Sequence, residues 1–169
     1  MRYTNKIVTA ACVAALLARP SFDTAWMVGG AGGASVVAKT LKLFISDPRP
    51  SQTHHAIRNP TLNDKIHSKV DGSREDGMPS THSTVAGWLF TTLFLLNDVP
   101  SHIRIPALAF LALIPLSRTR LGKHTRLQVW CGGALGVLLA LVATVVKPTA
   151  YRIVSTVVQE HAPLLAVFL

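Results

Sequence analysis

Three short clusters carry residue types suited to one kind of chemistry. Lys42 is followed seven residues later by Arg49-Pro50. Next comes Gly77-Met78-Pro79-Ser80-Thr81-His82. Last is Ser117-Arg118, with His124 six residues beyond the arginine and Gln128 four beyond that. Phosphoryl transfer asks mainly for positioning and charge stabilisation. Lys42, Arg49 and Arg118 can neutralise non-bridging phosphate oxygens, the arginines through a planar fork and the lysine as a point charge. A neutral imidazole attacks phosphorus near pH 7, and a second imidazole can protonate the leaving oxygen. Ser80 or Thr81 suits the cap of a helix that starts there, and the other free N–H groups of a helix start attract an anion.

Plainer readings exist for each cluster. Cations often flank membrane segments, Ser and Thr are ordinary caps, and a histidine at a membrane edge is often a surface residue. Lys42 weighs against them, because it lies within an apolar stretch where an unpartnered cation is costly. Two histidines beside phosphate-like clusters weigh the same way.

The elements that position these residues follow from the apolar pattern. At 169 residues the chain is expected to be one domain, 1–169. Hydrophobic residues make up 49% and charged ones 15%, against about 25% charged in a soluble domain. The apolar residues come in blocks, at 7–18, 25–46, 83–97, 104–117 and 127–146. A weaker sixth block, 151–169, carries Arg152, Gln159, Glu160 and His161. The pattern predicts an all-α, polytopic transmembrane bundle of about six helices. Several blocks fall short of the roughly 20 residues that cross a typical bilayer. A core of about 27 Å, as in the endoplasmic reticulum, needs only about 18. The first block follows Arg2 and Lys6 and also fits a signal peptide, but the later blocks favour an anchor. Gly29 and Gly33 form a small-xxx-small pair that lets helices approach. Residues 47–81 are the one long polar loop, expected to be functional. If the blocks cross alternately, Lys42, Arg49, His82, Arg118 and His124 all fall on the same side.

A net charge of +9 fits nucleic acid, anionic lipid or a phosphate substrate. No nucleic-acid motif is visible and the aromatics sit inside apolar runs, so membrane lipids and a phosphate substrate are the expected partners and nucleic acid is not. Cys12 and Cys131 read as free thiols within apolar runs. Trp26, Trp88 and Trp130 fall near segment ends and suit interfacial belts. Gly33 to Thr40 departs from a phosphate-binding loop at one position, Ala38 for its second glycine, and lies inside an apolar helix, so it carries no function. His54, His55 and His67 lack metal-ligand spacing and read as loop histidines. Arg58, Lys65, Lys69 and Arg74 read as a solvated or headgroup-facing loop.

The order and spacing of the three clusters, over residues 42–128, resemble the signature of the type 2 phosphatidic acid phosphatase superfamily. That signature is K-x6-R-P, then P-S-x-H, then S-R-x5-H-x3-D. The resemblance implies a helical bundle of the kind these phosphatases share with haloperoxidases. It makes His124 the nucleophile that becomes a phosphohistidine and His82 the general acid. Lys42, Arg49, Ser80, Thr81 and Arg118 then bind the phosphate, with no metal and no cofactor.

Gln128 departs from this pattern, standing where most of the superfamily has Asp. A Gln-Val pair in H-T-x-x-Q-V, and Gly-Met-Pro-Ser before the first histidine, look like the dolichyldiphosphatase branch. That branch implies an isoprenoid lipid diphosphate substrate, hydrolysed to the monophosphate, and a site at the lumenal face of the endoplasmic reticulum. The Lys and Arg count on the motif side, read by the positive-inside rule, points that side to the cytosol instead. Gln128 lies one helical turn after His124, so its amide oxygen can accept the Nδ1–H and fix the tautomer. A flipped amide would present a donor and select the wrong tautomer. Gln also lacks the full negative charge of Asp, a lack that a diphosphate tolerates better because lipid monophosphate leaves more easily than an alkoxide. A sphingosine-phosphate or general lipid-phosphate phosphatase, and a catalytically inactive membrane binding protein of the same fold, are the alternative readings.

Overall fold

The computed structural model describes residues 4–45, 47, 49, 77–96 and 99–161. Among them the chain forms five helices and no strand: α1 (Thr4–Ala18), α2 (Phe22–Phe44), α3 (Thr81–Leu95), α4 (Ser101–Arg120) and α5 (Arg126–His161). The expectation of about six helices meets a difference here. The fifth apolar block and residues 151–161 of the sixth lie in one 36-residue helix that runs through Pro148. Proline disfavours a helix interior without forbidding it, and Pro148 is exposed, so no packed neighbour enforces a break. Of the loop at 47–81, only Asp47, Arg49 and residues 77–81 are described. His54, His55, His67, Arg58, Lys65, Lys69 and Arg74 lie outside the described residues.

Local sequence explains the helix starts. Ser21 caps α2 by accepting from the Thr24 N–H at 3.2 Å, and Asp23 follows at the positive end of the helix dipole. α3 is the central helix, packed against α2, α4 and α5. α2 buries Ala31, Ala34, Ala38 and Lys42, a small-residue stripe at helical spacing that ends in a cation. The cluster between the helices includes Ala86, Trp88, Leu89, Leu111, Ile114 and Ala140.

Two packing expectations are corrected. Close helix approach is made by Gly132 and Gly136 of α5, not by Gly29 and Gly33. A Cβ on Gly132 would sit 2.6 Å from the Ser80 carbonyl oxygen, whereas Gly29 and Gly33 have nothing within 4 Å among the described residues. Trp88 is not interfacial. It is buried, and its indole N–H donates to the Met27 carbonyl at 2.9 Å. Trp130, by contrast, is 76% exposed. Cys12 and Cys131 are free thiols.

The bundle is hydroxylated inside and apolar outside. Thr84, Thr91 and Thr92 of α3 are buried, and Thr84 and Thr92 return their hydroxyls to the Ser80 and Trp88 carbonyls. Phe94, Leu116, Leu138 and Val145 are exposed. That distribution suits a surface facing lipid. By length and composition, one helix among the described residues can cross a membrane: Arg126–Gln159, with mean hydropathy 2.3. α1 and α3 have only 15 residues each, and α2 and α4 carry charges near their ends. At the end of the bundle away from Lys42, Lys147 Nζ meets Asp23 Oδ1 at 2.9 Å. Beside them Phe22 packs on Trp26 and Tyr151, at ring separations of 5.7 and 5.2 Å.

Candidate active site

The segment from Arg118 to Gln128 is built by two consecutive helix-end motifs. α4 closes with Leu121 as its C-cap, followed by Gly122 at φ 63°, a conformation that glycine adopts without Cβ strain. The Gly122 N–H bonds the Thr119 carbonyl and the Lys123 N–H bonds the Arg118 carbonyl, each at 3.1 Å. This pair is a Schellman motif. It reverses the chain within a few residues and delivers His124 to the end of the bundle where Arg118 lies. The spacing S-R-x5-H is thus the length of a helix end, a reversal and a helix start.

α5 then opens with a capping box, Thr125-Arg126-Leu127-Gln128. The Gln128 N–H donates to Thr125 Oγ1 at 3.2 Å, and the Thr125 N–H donates to Gln128 Oε1 at 3.1 Å. Such reciprocal bonding satisfies two orphan donors of the helix start. Gln128 Oε1 also lies 3.1 Å from His124 Nδ1. Because the Thr125 N–H is a donor, the atom between it and the imidazole is the carbonyl oxygen. Nδ1 therefore donates, and the lone pair of His124 is on Nε2. At the other end of the amide, Gln128 Nε2 donates to Asp47 Oδ2 at 2.9 Å, and a carboxylate oxygen accepts. Both ends of the amide are assigned by partners of unambiguous polarity.

α3 supplies the second imidazole. Ser80 occupies its N-cap position, but its side chain makes no capping bond. Instead Ser80 Oγ accepts from Ser83 Oγ at 3.1 Å, and the Ser80 N–H donates to the Gln128 carbonyl at 3.1 Å. The expected cap is corrected accordingly: Ser80 joins the start of α3 to the start of α5. Its hydroxyl leaves the first-turn N–H groups of α3 unoccupied by a cap. Thr81 and His82 follow, both half-buried. Gly77 lies against Gln128, and a Cβ there would fall 2.6 Å from Cδ and Oε1 of the amide.

The cations and imidazoles converge. Lys42, Arg118 and His124 are 7%, 6% and 5% exposed, and Arg49 is half-buried. His82 precedes the apolar stretch 83–97 and His124 lies between helices. His82 is lowered to about 4, first by burial, then by Arg118, His124, Lys42 and Arg49. His124 is also lowered to about 4, by burial and then Arg49, with Lys42 and Arg118 adding to it. The hydrogen bond to Gln128 opposes that shift, because a donated Nδ1–H favours the imidazolium. All three cations thus act on both imidazoles, and both are neutral at pH 7 in the phosphate-free site. Among the described residues the buried Arg118 Nε has no hydrogen-bond partner, so an N–H that needs an acceptor lies at this place.

The sequence clusters and the family resemblance they carry pointed to Lys42, Arg49, Ser80, Thr81, His82, Arg118, His124 and Gln128, and all eight lie at this end of the bundle. They missed Asp47 and Gly77 as neighbours of Gln128. The capping box was legible, as T-x-x-Q ahead of an apolar run. The Asp47 contact was not, because Asp47 and Gln128 are 81 residues apart. No group of three or more His, Cys, Asp or Glu among the described residues forms a metal cage.

The family model described as the PAP2 superfamily matches residues 23–152, from the start of α2 to past Pro148. No curated relative and no solved structure matches the chain.

Proposed function

The chain belongs to the PAP2 superfamily, whose members are phosphatases, and from that premise we propose that it is a membrane-embedded lipid diphosphatase acting on a polyprenyl diphosphate such as dolichyl diphosphate. Family membership points to phosphatase chemistry on lipid phosphates and to membrane association. The lipid and the diphosphate go beyond family membership. One observation carries the chemistry: a histidine whose Nδ1 is committed to Gln128 lies among three cations and a second imidazole.

In the proposed cycle the terminal phosphate enters among Lys42, Arg49 and Arg118, with the N–H groups at the start of α3 and the Ser80–Thr81 segment beside it. The His124 Nε2 lone pair attacks the terminal phosphorus. The bond to the bridging oxygen breaks, its electron pair leaves on the lipid monophosphate, and His82 supplies the proton. Water then attacks the phosphohistidine, the P–N bond breaks, and its electrons return to Nε2. His82 accepts the proton of that water and inorganic phosphate leaves. A neutral His82 cannot begin as an acid. The bound diphosphate supplies the negative charge that raises its pKa from about 4, so substrate binding sets the protonation that the first step needs.

The diphosphate preference rests on Gln128, which orients His124 without the formal charge of an Asp, and on the H-T-x-x-Q-V resemblance. The proposed setting is the endoplasmic reticulum with the site at the lumenal face, as that branch implies. Phosphate release from detergent-solubilised protein should be measured with polyprenyl diphosphate, polyprenyl phosphate, phosphatidic acid and sphingosine phosphate. Fastest turnover on the diphosphate supports the reading. Fastest turnover on a monoester replaces it with a lipid-phosphate phosphatase, and no release from any of the four favours an inactive binding protein.

A further inference from the structure

We propose that Asp47 is a positioning residue for the nucleophile: it holds the Gln128 amide, and through that amide the reactive tautomer of His124. The inference rests on His124 being the nucleophile. It starts from the wiring of one fully buried side chain, Gln128, at 0% exposure. Oε1 takes two bonds, from the Thr125 N–H and from His124 Nδ1. These use the two lone pairs of a carbonyl oxygen. Nε2 is directed the other way, to Asp47 Oδ2 at 2.9 Å. Gln128 is fully buried, so weakening the acceptor that Asp47 gives its amide is costly.

Asp47 is itself fixed. The Gly77 N–H donates to its carbonyl at 2.6 Å, and Gly77 presses on the Gln128 amide where a Cβ would not fit. The chain leaving α2 and the chain entering α3 therefore close on Gln128 together. Asp47 stands two residues before Arg49, so the arm carrying a phosphate-binding cation also carries the group that holds the nucleophile's partner. In the superfamily pattern a carboxylate at position 128 would meet His124 directly. Here the carboxylate is at 47 and the amide lies between them.

The test uses the full-length protein in detergent, with two readouts. The first is kcat and KM on polyprenyl diphosphate. The second is the His124 tautomer by nitrogen NMR of histidine-labelled protein, the His124 signal being the one lost in His124→Ala. Asp47→Leu should lower kcat by roughly 10²-fold through a misplaced nucleophile, with KM little changed. It should also convert a pure Nδ1–H signal into a tautomer mixture. Asp47→Asn keeps an acceptor for Nε2 and should stay within about fivefold of the parent, the order of one hydrogen bond. Should the leucine variant fail to fold, Asp47→Ala carries the same expectation with less bulk.

The sharpest arm is a swap. Gln128→Asp alone sets two carboxylates face to face with no donor between them, so it should be impaired. Asp47→Leu combined with Gln128→Asp removes that repulsion and restores a direct carboxylate to His124. The double variant should exceed both single variants. A purely structural Asp47 would make the double no better than the product of the singles. Parent-like kcat and a pure Nδ1–H tautomer in Asp47→Leu would overturn the proposal. Full turnover in His124→Ala would instead overturn the nucleophile assignment, and the tautomer readout would still decide whether Asp47 holds Gln128.

Discussion

At the Asp23 end of the bundle, Lys147 meets a carboxylate at 2.9 Å while the two side chains remain 30% and 42% exposed. At the Lys42 end, Lys42 and Arg118 are almost fully buried beside Arg49, and burial first, then the field of these cations, holds two imidazoles at about 4. Among the described residues a carboxylate on that side, Asp47, gives Oδ2 to an amide. The same ingredients thus serve different ends. A partly exposed pair shares its charges with solvent and contributes little to stability. A cluster of buried cations around two neutral histidines is the setting that the proposed function assigns to an anion. Phosphate entering it would relieve repulsion and offer the Arg118 Nε an acceptor.

The largest expected effect is on His124. His124→Ala should reduce phosphate release by about 10⁴-fold or more, the order lost with an essential nucleophile. The acid-labile phosphoenzyme trapped from labelled substrate should disappear with it. Arg118→Gln comes next, with a loss of about 10²- to 10³-fold in kcat, as for removal of one transition-state donor. Steady-state turnover of Arg118→Gln beside Lys147→Met is the most direct check on the contrast between the two ends. A comparable loss in both variants would erase it.

The pH dependence is a smaller and more specific effect. Catalysis needs His124 neutral, and its lowered pKa keeps it neutral as pH falls below 6.5 toward about 4. The acid limb of kcat/KM should therefore lie well below the ordinary histidine value, since that ratio reports the free enzyme. Stability should move the other way. The unfolded chain takes protons on His82 and His124 below about 6.5, whereas the native site resists until about 4. Native stability is therefore lost as pH falls from 6.5 to 4, and inorganic phosphate should oppose that loss. Thermal melts across this range, with and without phosphate, measure it. A melting temperature indifferent to both would mean that neither burial nor the cations depress the imidazoles.

The smallest effects are expected away from the cluster. Lys147→Met or Asp23→Asn should change kcat less than twofold and stability by no more than about 1 kcal/mol, read from denaturant or thermal unfolding. Excess EDTA should leave turnover unchanged, because the proposed cycle meets the transition-state charge with Lys42, Arg49 and Arg118. Loss of activity restored by magnesium or zinc would revise that assignment.

The sequence by itself determined the site's residue types and its side of the bundle. Lys42, His82, Arg118 and His124 fall where apolar blocks end or begin, and alternation of helices carries helix ends to a common face. Helix-end chemistry is local, so the reversal at Gly122 and the capping box at Thr125–Gln128 are also written in short stretches. Only the tertiary structure decided what lies beside what across the chain. Trp88 looks like a belt residue until α2 presents the Met27 carbonyl to its indole. Gly29 and Gly33 look like a packing pair, yet Gly132 and Gly136 meet α3. Asp47 is an unremarked acid in a polar loop until folding carries it to Gln128, 81 residues away. The physical reason is one of range. Caps and turns are fixed by hydrogen bonds within a few residues, whereas a buried amide takes whichever acceptor the packed helices bring to it, and no local pattern records that choice.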